Sequence, residues 1–187
     1  MQHRLLSIDP GTQNVGICIS DISDRMIVRH AATFNVKNRL KNVVGEEVIR
    51  EYGKKRVVRN LISQFLLEQI KFWQPSAVIS EVPYLNESLN SFLSLYDCNQ
   101  ATKEAIFQYS KTMQFIGIDP ASAKKSLGIP GNSGDKELVF AQVTTAPHID
   151  LSEIYPDQLD EHAIDAILIG NAYFQHYLKY KIKEPLP

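Results

Sequence analysis

The apolar residues of this chain fall into two kinds of pattern. Near the N-terminus they come in short runs. Residues 5–8 and 15–19 read as two strands joined by a turn, and residues 26–34 alternate loosely and read as a third. Pro10 and Gly11 suit the first turn, one because its ring pre-sets φ and the other because it tolerates a positive φ. No helix-spaced segment separates these runs, so the chain is expected to open as an antiparallel meander. Asp21 and Asp24, between the second and third runs, read as solvated turn formers.

From Val57 the spacing changes. Val57, Val58, Leu61, Ile62, Phe65, Leu66 and Ile70 lie on one face of a helix that Pro75 stops. The short apolar run over 76–81 follows that helix, which predicts a strand parallel to the first and, by right-handed crossover, beside it. A long helix is expected over 89–110, capped by Asn86 or Ser88, with apolar and aromatic residues to spare for a second subunit. A strand over 113–118 comes next, and Asp119 with Pro120 reads as the cap and first residue of a further helix rather than as a ligand site. A glycine-rich loop over 126–136, a helix over 135–145, a connecting loop and a last helix from about Asp160 complete an α/β pattern.

Composition narrows this little. The 187 residues are 44% hydrophobic, enough for one domain with a sizeable core. A formal net charge of -1 excludes a global basic field, so any nucleic-acid binding must come from local patches. One such patch is residues 35–60, with Lys37, Arg39, Lys41, Arg50, Lys54, Lys55, Arg56 and Arg59 against Glu46, Glu47 and Glu51. It reads either as an ordinary solvated helix face or as a phosphate-contacting surface. Cys18 and Cys98 sit in apolar contexts and read as buried thiols rather than a redox pair. No apolar run is long enough to span a membrane, and the N-terminus lacks signal-peptide anatomy, so a soluble intracellular protein is expected.

Charge at the ends of the apolar runs changes the picture. The first strand ends on Asp9 and its expected parallel neighbour ends on Glu81, which brings two carboxylates to one end of adjacent strands. Two such groups repel unless a cation joins them. On the last helix, His162 and Asp165 stand three apart and share a face, and Ala163 and Ala166 let that face approach the sheet. The helix macrodipole accounts for Asp160 and Glu161 but less well for Asp165, which lies among apolar residues. Asp9, Glu81, His162 and Asp165 are therefore expected to hold Mg²⁺ or Mn²⁺, with two ions suiting phosphodiester hydrolysis. His162 reads as a ligand, a proton shuttle or a structural hydrogen-bond partner. Lys124, Lys125 and Lys136 flank the glycine loop and can meet a phosphate, with Lys136 the candidate for stabilising transition-state charge; there is no Walker pattern. Lysines 179, 181 and 183 read as a solvated tail or a further phosphate contact.

Several motifs now stand in order: Ile8-Asp9-Pro10-Gly11-Thr12 with Gly16, Glu81-Val82-Pro83-Tyr84 after a strand, Asp135-Lys136-Glu137-Leu138-Val139 closing the glycine loop, and His162-Ala163-Ile164-Asp165-Ala166. Together the set resembles the RuvC-type Holliday junction resolvases of the ribonuclease-H-like nucleases. The resemblance implies a single nuclease domain over residues 1–187, with a mixed five-stranded sheet whose second strand is antiparallel, flanked by helices. It implies a homodimer that nicks four-way, and in phage-type relatives other branched, DNA at symmetrically related strands, leaving 5′-phosphates. It implies that Asp9, Glu81 and Asp165 are metal-binding acids, that His162 stands where many members have aspartate and some histidine, and that Tyr84 stands at the family's aromatic position near the junction centre, to stack on an unpaired base or to pack in the core. Thr12, Lys124, Lys125 and Lys136 fall with Tyr84 in the DNA-facing set. A cytoplasmic location follows, in a host cell if the chain is of phage origin. Two other classes compete. A non-catalytic junction binder would not need Asp9, Glu81 and Asp165 together, and an actin- or sugar-kinase-like ATPase would need a second similar domain for which the chain has no room.

Overall fold

The computed structural model describes residues 3–83 and 88–181, with side chains for all of these except Val43 and 177–181. Tyr84, Asn86 and the lysine at 183 therefore lie outside the described residues, as do the side chains at 179 and 181.

The meander forms as its pattern requires. β1 (His3–Asp9) pairs antiparallel with β2 (Asn14–Ile22), which pairs antiparallel with β3 (Met26–Asn35). β4 (Ala77–Glu81) lies parallel beside β1, and β5 (Gln114–Ile118) lies parallel beside β4. Side chains alternate across these strands, so Leu5 joins the core on one face and Leu6 the core on the other. Cys18 and Cys98 fall in opposite cores and cannot meet; burial pushes each thiol up to about 12, which leaves both inert.

One face of the sheet is covered by α3 (Lys54–Trp73) and α4 (Leu89–Tyr109). α3 ends where Gln74, ahead of Pro75, turns left-handed at φ 49°. Ser88 caps α4 by accepting from the Ser91 amide. The other face is covered by α7 (Glu161–Lys181), with α5 (Pro120–Lys125) and α6 (Lys136–Thr145) packed against it. Asp119 and Asp135 are the N-caps of α5 and α6, each accepting from the amide three residues on. Backbone contact fixes how closely α7 approaches: a Cβ on Gly16 would stand 2.0 Å from the His162 carbonyl oxygen. The start of α7 is thereby pressed onto β2 beside the end of β1.

Two expectations need correction. The sheet has six strands rather than five, in the order β5-β4-β1-β2-β3-β6, because Ile149 and Asp150 form a two-residue strand, β6, parallel to β3. Two residues carry no alternation from which a strand could be read. Asp21 is not a solvated turn former: it belongs to β2, is 3% exposed, and pairs with Arg4 at 2.8 Å and Arg29 at 2.6 Å. Its burial would raise its pKa, but the hydrogen bonds and charges of those arginines hold it below the ordinary carboxylate value. The basic stretch divides into α1 (Val36–Val43), α2 (Glu46–Tyr52) and the start of α3. No helix among the described residues is long and apolar enough to cross a membrane.

Candidate active site

At the acid-bearing end of the sheet, residues from β1, β4, α5, α6 and α7 line one cavity of about 410 Å³. β1 brings Asp9 and the turn brings Pro10; β4 brings Glu81; α6 brings Lys136; α7 brings Glu161, His162 and Asp165. The register β1↔β4 aligns Ile8 with Ser80, which sets Asp9 and Glu81 at the same end of neighbouring parallel strands. The buried Asn99 of α4 donates to the Glu81 carbonyl at 2.9 Å and fixes the strand exit.

The side chains in this cavity are paired with one another. His162 Nδ1 stands 2.8 Å from Asp9 Oδ2, and His162 Nε2 stands 3.2 Å from Asn14 Nδ2. The Asn14 amide nitrogen only donates, so with this orientation Nε2 accepts and the ring proton sits on Nδ1, facing the Asp9 carboxylate. Lys136 Nζ donates to Asp165 Oδ2 at 2.5 Å and lies 3.6 Å from Glu161. Burial pushes Asp9, only 16% exposed, up to about 6; the hydrogen bond from His162 opposes this and the charge of Asp165 adds to it. Burial would lower Lys136, but its hydrogen bond to Asp165 and the charges of Asp165, Glu161 and Asp9 hold it above the ordinary lysine value.

The expected site residues separate as follows. Asp9, Glu81, His162, Asp165, Lys124 and Lys136 all line the cavity, and Lys124 Nζ donates to the Ser133 carbonyl at 2.6 Å, tying down the glycine loop. Thr12 and Lys125 do not: Thr12 lines a second cavity on the far side of the turn, and Lys125 lines a third with Ser122 and Tyr173. Asn14 and Glu161 are site residues that sequence reasoning passed over. Asn14 was signalled only by a polar residue at the head of an apolar run, and Glu161 was absorbed by the macrodipole.

The donor chemistry fits a hard divalent ion: two carboxylates within electrostatic reach of each other, one of them held at about 6 by burial, plus a third carboxylate and an imidazole. Among the described residues, no three His, Cys, Asp or Glu side chains already stand in a metal-holding group. His162 and Lys136 each stand on one carboxylate oxygen there, Oδ2 of Asp9 and Oδ2 of Asp165.

No protein-family model matches the chain, and no curated protein matches it. Solved structures do. The Thermus thermophilus RuvC structure superposes with a TM-score of 0.69 at 18% identity, over 98% of this chain and 99% of that one. T. thermophilus RuvC in complex with Holliday junction substrate gives 0.69 at 16% identity over the same shares. The yeast mitochondrial Holliday junction resolvase gives 0.64 at 13% identity, over 97% of this chain and 81% of that one. The chain therefore has the ribonuclease-H-like fold of RuvC-type resolvases, in agreement with the motif resemblance.

Proposed function

We propose that this chain is a metal-dependent, structure-selective endonuclease that resolves four-way DNA junctions by paired nicks, acting as one nuclease domain on intracellular DNA. The observation that carries the reading is the convergence of Asp9, Glu81, His162 and Asp165, from β1, β4 and α7, on one cavity with Lys136. A junction binder without chemistry has no use for a buried carboxyl gathered with two further acids in one cavity. The fold adds support, since one neighbour was solved with a Holliday junction substrate.

Asp9, Glu81, His162 and Asp165 would hold Mg²⁺ or Mn²⁺, which when bound supplies an activated water and neutralises charge on the leaving 3′-oxygen. The chain's own residues do the rest. Lys136, released from Asp165, donates to a non-bridging phosphate oxygen as negative charge grows there. His162, oriented by Asn14 and Asp9, serves either as a ligand to that ion or as the group that moves a proton near the scissile bond, one role excluding the other. The glycine loop, through Ser133 and Gly134 in the cavity wall, lets a phosphate approach backbone closely. A homodimer belongs to the same reading: α4 exposes Leu89, Leu93 and Tyr96 at i, i+4 and i+7, an apolar stripe that a second copy would cover.

The test is incubation of the purified protein with a synthetic four-way junction and with matched duplex, flap and fork DNA, with and without Mg²⁺ or Mn²⁺. The reading expects nicks on opposed strands of the junction, leaving 5′-phosphates, only when metal is present. Junction bound tightly but left intact with either metal would favour the non-catalytic binder.

A further inference from the structure

The opening turn divides two cavities. Pro10 lines the acid cavity, whereas Thr12 and Gln13 line a second one of about 410 Å³ on the opposite side. The floor of the second cavity is apolar, made by Val36, Leu40, Val58 and Ile62. Its rim is cationic: Lys37 comes from α1, and Lys54 and Lys55 come from the first turn of α3. These three lysines are exposed and make no ion pair among the described residues, while Arg59, also in the lining, is committed to Glu104. Asp97 is the single acid in the lining.

The start of α3 is an independent sign of an anion. The helix opens on Lys54, Lys55 and Arg56, with no acid in its first turn, and its cap, Gly53, offers no side chain to the free N–H groups. Cations at the positive end of a twenty-residue helix oppose its macrodipole, and no side chain caps the amides there. A bound phosphate reverses both costs at once. Lys54, Lys55 and Arg56 place charge where the helix itself disfavours it, next to a hollow that apolar side chains line.

An anionic group attached to a flat apolar body matches that lining, and the volume is within the usual range for small-ligand sites. Thr12 is three residues from Asp9, so residues that line the two cavities come within ~11 Å of each other along the backbone. At ~3.4 Å per nucleotide this is roughly three nucleotides. We propose that the second cavity holds an unpaired nucleotide of the branched DNA close to the scissile phosphate, its phosphate on Lys37, Lys54 and Lys55 and its base on the Val36, Leu40, Val58 and Ile62 floor. The inference rests on the nuclease reading above and adds a strand-positioning site to it.

The experiment places 2-aminopurine singly at each nucleotide within three of the nick in a four-way junction, and measures its emission on binding the full chain in EDTA. The wild type is expected to raise emission about threefold or more at one position, as unstacking from neighbouring bases requires. Lys54→Ala/Lys55→Ala keeps helix-forming residues in α3; it is expected to abolish that rise and to lower the slope of log K against log salt by about 2, near 0.9 per lost phosphate contact. Val58→Trp, which fills the floor, is expected to abolish the rise while leaving the salt slope unchanged. Junction binding with no responsive position, or variants that respond as the wild type does, overturns the inference and leaves the nuclease reading standing. Saturation of the cavity by free deoxyadenosine monophosphate, with no position in the junction responding, overturns the strand assignment. A wild type that binds no junction at any salt removes the nuclease reading and this site with it.

Discussion

Replacing Asp9 with asparagine should make the metal-free protein more stable, and only above the pH at which the unfolded carboxyl begins to ionise. The unfolded carboxyl ionises near the ordinary 3.8, whereas burial, against the His162 hydrogen bond and with the Asp165 charge, pushes the folded one up to about 6. Below the lower value both states carry the proton and nothing is lost. Between the two values the unfolded chain ionises first, so stability falls as pH rises; above about 6 the penalty is complete and flat. The difference, at about 1.36 kcal/mol per pH unit, corresponds to about 3 kcal/mol. Asparagine does not titrate, and its Oδ1 still accepts from His162 Nδ1, so Asp9→Asn should recover most of this. For a domain of this size the gain corresponds to roughly 6–12 °C in Tm. The assay is urea unfolding in EDTA at about pH 4.5, 6 and 7.5, where the variant's advantage should grow from small to about 3 kcal/mol. Added Mg²⁺ should then stabilise the wild type and leave the variant unmoved, because only the wild type binds it in the folded state. An advantage of equal size at all three pH values, or a variant less stable than the wild type near neutrality, refutes the burial argument.

The other predictions concern residues around that carboxyl. Lys136→Ala should lower the cleavage rate by at least about tenfold while weakening junction binding far less, in single-turnover assays compared with binding in EDTA; equal losses would make Lys136 a phosphate contact only. Asp21→Ala should cost about 3 kcal/mol in urea unfolding, because it strands Arg4 and Arg29 without their shared partner. Because Asp21 ionises below its ordinary value when folded, its contribution should be present above about pH 4 and fade as pH falls through the folded value. Gly16→Ala should cost about 1–3 kcal/mol and abolish cleavage, since its Cβ would stand 2.0 Å from the His162 carbonyl and must push α7 off β2.

Much of this site was legible because its acids interrupt apolar runs. Asp9 and Glu81 stand out at strand ends, and the crossover rule alone places those strands side by side, as their register confirms. Asp165 stands out because the macrodipole does not explain it. What the sequence hid is pairing over long separations. Asp21 reads as turn-forming until Arg4 and Arg29 arrive from neighbouring strands, and Asn14 has no visible role until α7 brings His162 to it across 148 positions. β6 has no local pattern because it is an edge pairing of two residues set by the loop after α6. The basic stretch could be counted but not shaped: breaks at Val44–Gly45 and at Gly53, with φ 79°, divide it into helices, of which α1 and the start of α3 face a cavity.

The claim beneath all of this is that Asp9, Glu81, His162 and Asp165 gather in the fold in order to share divalent cations with a scissile phosphate. Its most direct test is anomalous diffraction at the manganese edge from crystals of the protein grown with Mn²⁺ and a four-way junction. The account predicts manganese peaks between the Asp9, Glu81 and Asp165 carboxylates, with Lys136 turned away from Asp165 toward the phosphate. Junction DNA seated on the protein and no manganese among those side chains would contradict it.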